Sequence, residues 1–156
     1  MNTSNLFSSE VRTLLEQGGW YEGREGAGTY EVPSDVVYPE GIEKILNEFG
    51  GLYIKSNGPG ISLVRNSIEF DPSDAEGESS EDGILTDYSS KIGRVLYPIG
   101  HVPKESLMLC TDLDGNVYMV GDYLYMVGHS FAEGISNILL GIKGKQFKES
   151  DSTWMD

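Results

Sequence analysis

The chain has 156 residues, one cysteine, 25 acidic and 11 basic side chains, and a formal net charge of −14. This length suits one domain with a hydrophobic core of its own. The negative charge disfavours nucleic acid and anionic membranes as partners, because both are bound through Lys and Arg. The single Cys110 excludes an intrachain disulfide, and its apolar surroundings predict a buried, inert thiol.

Two further patterns concern the location of the protein. No stretch approaches the roughly 20 apolar residues that are needed to cross a bilayer. The first residues lack the basic region and apolar run of a secretory signal. We therefore expect a cytoplasmic protein.

Four helices are predicted along the chain. Residues 8–17 place Val11, Leu14 and Leu15 on one helical face, and a second helix is predicted from Pro39 to Phe49, before the pair Gly50-Gly51. Two more helices are predicted over about 80–92 and 130–140, the latter with a capping box formed by Ser130 and Glu133.

Short apolar runs between these helices predict strands, and Asp114-Gly115 predicts a hairpin turn. The expected strand segments are 52–54, 61–70, 95–100, 107–110, 116–120 and 123–127. This order predicts an α+β fold: one domain over 1–145, with a mainly antiparallel sheet of about five or six strands and helices packed on one face. Residues 146–156 are polar and acidic, and we expect a frayed C-terminal tail.

The segment from Glu69 to Asp87 contains eight acidic residues and no Lys or Arg. Such uncompensated charge disfavours folding through self-repulsion, and it resembles the charge pattern of nucleic acid, which could fill the basic cleft of a nuclease. A solvated loop is the alternative. The candidate partner-binding residues are Asp71, Asp74, Glu76, Glu78, Glu81 and Asp82, with Tyr88 as an aromatic anchor.

No catalytic residue, metal ligand or cofactor is predicted. Neither histidine belongs to a metal-binding motif, and the glycine-rich segments lack the Lys-Ser/Thr pair of a phosphate loop. The segment Asp112–Gly115 lacks the later ligands of a calcium loop, which favours a hairpin. A hydrolase that uses Asp71 with His101 remains as an alternative.

Six short segments carry a further signal. They are Gly19-Trp20-Tyr21-Glu22-Gly23-Arg24, Ile45-Leu46-Asn47-Glu48-Phe49-Gly50-Gly51-Leu52, Ile68-Glu69-Phe70-Asp71-Pro72, Ile92-Gly93-Arg94-Val95-Leu96-Tyr97-Pro98-Ile99-Gly100, Asp112-Leu113-Asp114-Gly115-Asn116-Val117-Tyr118 and Phe131-Ala132-Glu133-Gly134-Ile135. In this order, over about residues 11–142, they resemble the third subgroup of the SUKH superfamily of bacterial immunity proteins.

The resemblance implies an α+β protein without enzymatic activity that binds and neutralises a cognate toxin domain, often a nuclease or deaminase of a polymorphic toxin system. It leaves open whether Trp20 and Arg24 are structural, with Arg24 paired to a carboxylate, or functional. A monomer is favoured. A non-enzymatic scaffold or regulatory adaptor, similar to the eukaryotic cell-wall regulators of the superfamily, is the alternative. The chain departs from the family pattern at 23–35, at 73–83 and in its acidic tail.

Overall fold

Eight strands form one antiparallel sheet in which neighbours in space are also neighbours in sequence. The structure is a computed structural model that describes residues 6–155, apart from the side chain of Asp74. The strands are β1 (Tyr53–Ile54), β2 (Ile68–Glu69), β3 (Tyr97–Val102), β4 (Leu107–Thr111), β5 (Val117–Val120), β6 (Leu124–Gly128), β7 (Lys145–Lys148) and β8 (Thr153–Met155). The helices are α1 (Ser9–Gln17), α2 (Glu40–Phe49), α3 (Ile84–Ile92) and α4 (Phe131–Leu140).

The helix ends follow from local sequence. The Ser8 hydroxyl accepts a hydrogen bond from the Val11 amide at the start of α1, and the Ser130 hydroxyl accepts one from the Glu133 amide at the start of α4. These bonds satisfy main-chain donors that lack a partner within the helix. All four predicted helices are confirmed. In residues 6–155 no helix is both long enough and apolar enough to span a bilayer.

The sheet is covered on both faces because side chains along its strands alternate between two cores. In the first core, Leu109, Val117 and Val127 face the helices α1, α2 and α4. In the second core, Cys110 and Tyr118 lie on the opposite face, and Leu85 and Tyr88 of α3 pack there. The predicted α+β class is confirmed. The prediction that all helices lie on one face is wrong for α3, since the second face is also apolar and needs cover.

The residues after Lys145 pair with the sheet, so the prediction of a frayed tail is wrong for the described residues up to Met155. Strand β7 pairs with β6, and β8 pairs with β7. Phe147 and Trp154 lie opposite each other with ring centroids 5.1 Å apart, and Trp154 also approaches the Tyr118 ring. Two aromatic side chains thus anchor a polar hairpin, which raises the strand count above the five or six expected.

Replacing Phe147, which is 6% exposed, tests this anchor. We expect Phe147→Ala to lower the free energy of unfolding by about 3 kcal/mol, because the change removes a buried ring and leaves a cavity. The measurement is urea unfolding followed by circular dichroism. The matched control is Met155→Ala on the neighbouring strand, where the residue is 39% exposed. Equal stability of the two variants would mean that the hairpin does not contribute to the core.

Candidate docking surface

The C-terminal end of α2 is bound by two side chains from the loop that follows α1. Arg24 Nη1 donates to the carbonyl oxygens of Glu48 and Gly50, at 3.0 and 2.9 Å. The Trp20 indole Nε1 donates to Glu48 Oε2 at 2.9 Å, and the ring is only 3% exposed. The last carbonyls of a helix lack partners within it and carry partial negative charge, so a guanidinium is well suited to this position. Both motif residues therefore hold the end of α2 in place.

Phe49 places an aromatic cluster directly beside this helix end. Its ring stacks on Trp20 at an interplanar angle of 15° and meets Phe70 and Phe131 at 5.4 and 4.8 Å. Gly51 follows with a φ of +85°, a conformation that side chains disfavour. A Cβ on Gly50 would lie 2.4 Å from the Leu46 carbonyl oxygen. The Phe-Gly-Gly motif thus permits a sharp turn into β1.

The remaining motif residues also shape the backbone. Pro72 is buried at the start of a short 3-10 helix, Pro72–Ala75, and Pro98 is buried beside an irregularity in β3. A Cβ on Gly100 would lie 2.3 Å from the Glu69 carbonyl oxygen, so only glycine lets β2 and β3 approach so closely. Gly115 occupies the turn of the β4–β5 hairpin with a φ of +87°.

The predicted acidic segment runs from β2 into α3. Its residues 76–82 form the acidic turn, which is largely exposed, and part of the charge of the segment has local structural roles. Asp71 accepts hydrogen bonds from the amide and hydroxyl of Ser73, Glu76 accepts one from Ser34, and Glu78 accepts one from the Ile84 amide at the start of α3. The carboxylates of Glu81 and Asp82 are exposed and form no ion pair with the residues described. The side chain of Asp74 lies outside the described part of the chain.

Tyr88 belongs to the core and not to the surface. Its side chain is 5% exposed, and its hydroxyl donates to the Asp122 carbonyl oxygen at 3.2 Å. Burial raises the pKa of this hydroxyl. Tyr88 is therefore too buried to serve as the predicted aromatic anchor. It faces the sheet because Leu85 and Tyr88 lie three residues apart, on the same face of α3.

A groove of about 640 Å³, which no sequence pattern predicts, lies beside the acidic turn. Acidic residues from three separate segments line it: Glu78, Glu105 and Asp122. Tyr123, 58% exposed, also lines it. Glu105 and Asp122 lie in the turns between β3 and β4 and between β5 and β6. A sequence pattern shows acidic residues in turns, but only the sheet topology brings these turns together.

The two residues of the hydrolase alternative have different partners in the structure. His101 Nε2 lies 3.2 Å from Glu69 Oε2, its partner across β2 and β3, whereas Asp71 binds Ser73. Burial raises the pKa of the Cys110 thiol well above its usual range, which keeps the reactive thiolate scarce. Among residues 6–155, apart from the Asp74 side chain, no group of three or more His, Cys, Asp or Glu side chains is arranged to hold a metal ion.

The β4–β5 hairpin is built around the Asp112 carboxylate. It accepts hydrogen bonds from the amides of Asp114 and Asn116, from the Asn116 side chain and from the Tyr118 hydroxyl. Burial is the largest cause that raises the pKa of the Tyr118 hydroxyl, and the hydrogen bond to Asp112 raises it further. The predicted hairpin is confirmed, with Asp112 as its internal acceptor.

A comparison with protein families identifies this combination of fold and motifs. The model of the SUKH-3 immunity protein family matches residues 7–141. The chain therefore belongs to the SUKH-3 immunity protein family. No curated protein and no solved structure matches the chain significantly.

A conservative substitution tests the structural role of Arg24. We expect Arg24→Lys to lower the free energy of unfolding by about 1–2 kcal/mol, since one ammonium group cannot reproduce the two guanidinium hydrogen bonds to the end of α2. Chemical denaturation measures the change. Lys44→Ala is the control, because Lys44 forms only an exposed ion pair with Glu40. If both variants are as stable as the unmodified protein, Arg24 does not hold this helix end.

Proposed function

We propose that the protein binds a cognate bacterial toxin domain in the cytoplasm and neutralises it without catalysing a reaction. The family match over residues 7–141 carries this proposal. The family motif residues support it indirectly, because Trp20, Arg24, Phe49 and Gly50 are engaged in the fold. The contacts that distinguish one toxin from another are then expected at exposed residues outside the motifs.

The exposed carboxylates indicate the kind of toxin. A net charge of −14 attracts a basic protein over a distance, which increases the association rate. A nuclease-type toxin has a basic cleft that binds phosphates, and an acidic surface can occupy that cleft in place of the substrate. The proposed contacts are Asp71, Glu76, Glu78, Glu81 and Asp82, together with Asp74.

Some of these six acidic residues already have a structural role within the fold, and others do not. Glu78 caps α3, and acidic side chains near the N-terminus of a helix are stabilising by about 0.3–1 kcal/mol. Glu81 and Asp82 lie just before the same helix, but they are exposed and form no ion pair with described residues. Helix stabilisation therefore accounts best for Glu78, and partner binding is the stronger explanation for Glu81 and Asp82.

A charge reversal at Glu81 and Asp82 tests the acidic contact. We expect the double variant Glu81→Lys/Asp82→Lys to bind the cognate toxin domain roughly tenfold more weakly at low salt, with a smaller loss of affinity when salt is added. Isothermal titration at two salt concentrations measures both effects. Survival of cells that express the toxin domain with each variant measures protection.

The matched control is Glu16→Lys/Glu25→Lys, which changes the net charge equally at two exposed positions on α1 and in the following loop. A general charge effect would weaken both variants alike. Unchanged binding by Glu81→Lys/Asp82→Lys would remove this turn from the interface. Absence of binding and protection by the unmodified protein would contradict the proposed function.

A further inference from the structure

The groove beside the acidic turn has the composition of a protein-binding surface. Its lining is mixed: Ile84, Leu107 and Met108 supply apolar surface, and Glu78, Glu105 and Asp122 supply acidic groups. None of the basic residues of the chain lines it. Protein interfaces commonly combine an apolar centre with a polar border. In this groove the charged residues named above are all acidic.

The groove is continuous with the acidic turn of the proposed function. Glu78 and Ile84 line it and also line the adjoining surface depression that contains Glu81 and Asp82. The apolar residues of the groove therefore lie next to the carboxylates that were predicted from the sequence. A partner that covers Glu81 and Asp82 can therefore contact the groove as well.

The backbone around the groove is held in place before any partner binds. The Gly121 amide donates to the Tyr123 carbonyl oxygen at 3.0 Å, and the buried Tyr88 hydroxyl donates to the Asp122 carbonyl oxygen. A Cβ on Gly121 would lie 2.5 Å from Leu107 Cδ2, so this turn packs closely on the start of β4. A fixed turn reduces the entropy that is lost when a partner orders the surface.

Tyr123 has the position of an anchor residue. Tyr123 is 58% exposed and lines the groove, where a partner can bury its ring at little cost in side-chain entropy. Tyrosine is among the residues enriched at positions that dominate binding energy. It thus replaces the buried Tyr88 as the aromatic contact that the sequence analysis expected.

From these observations we infer that the groove between the start of α3 and the β3–β4 and β5–β6 turns receives a basic loop of the toxin domain. An apolar side chain of that loop packs on Leu107 and Met108 beside Tyr123, and flanking Lys or Arg side chains pair with Glu105 and Asp122. Charge complementarity selects this occupant, because among residues 6–155 the charged residues that line the groove are all acidic. The inference rests on the proposed function and assigns its central contact.

The test compares two tyrosines of nearly equal exposure. Tyr123→Ala and the control Tyr21→Ala, whose side chain is 61% exposed in the loop after α1, are each titrated with the cognate toxin domain. We expect Tyr123→Ala to weaken binding roughly 30-fold, as for an anchor residue, and Tyr21→Ala to leave it unchanged. The second variant is Glu105→Lys/Asp122→Lys, compared with Glu16→Lys/Glu25→Lys. Thermal unfolding of every variant verifies that it is folded.

The outcomes separate this inference from the proposed function. Selective loss of binding with Tyr123→Ala or Glu105→Lys/Asp122→Lys supports the groove. Tight binding by the unmodified protein and by both groove variants overturns the groove and leaves the proposed function intact. Equal losses at Tyr123 and Tyr21 also overturn it, because a specific groove predicts a difference. If the unmodified protein binds no toxin domain, both the function and the inference fail.

Discussion

The capping of the C-terminal end of α2 is the interaction on which the first half of the structure depends. Arg24 satisfies two main-chain carbonyls there, and Trp20 binds the Glu48 carboxylate at the same point. Because Phe49 is the last residue of this helix, the cap also positions the aromatic ring that contacts Phe70 and Phe131. One guanidinium thereby connects a loop, a helix end and the first core. A charged donor fits this position because the carbonyls of a helix end carry partial negative charge.

This arrangement separates the residues that maintain the fold from those that are free to bind. Phe49, Gly50 and Gly100 are buried or closely approached by neighbouring backbone, so a change at any of them affects the core first. Glu81, Asp82, Glu105, Asp122 and Tyr123 are exposed, and a change at any of them alters mainly what a partner meets. Members of an immunity family can therefore share a fold and differ in the toxin they recognise, provided that the differences lie on such surfaces.

Local sequence rules predicted much of this structure, and their errors share a cause. Ser130, Glu133 and Asp114-Gly115 specify a helix start and a hairpin through contacts within a few residues, and both predictions are confirmed. The tail was predicted incorrectly because Trp154 packs on Phe147 and on Tyr118, and Tyr118 lies far away in sequence. The position of α3 could not be predicted for the same reason, since periodicity shows that a helix has an apolar face but not which face of a sheet it covers. The groove was even harder to predict from the sequence, because it forms only where the segment before α3, the β3–β4 turn and the β5–β6 turn come together.

Hydrogen exchange of the complex with the toxin domain tests most directly whether the exposed groove, and not the motif region, is the binding surface. Amides in 78–84, 105–108 and 120–124 are expected to exchange more slowly in the complex than in the free protein, because a partner seated in the groove covers these segments. The motif segments 20–24 and 49–51 are expected to exchange at the same rate in both states, since the fold already engages them. Protection confined to 20–24 and 49–51, with the groove segments unchanged, would contradict this assignment.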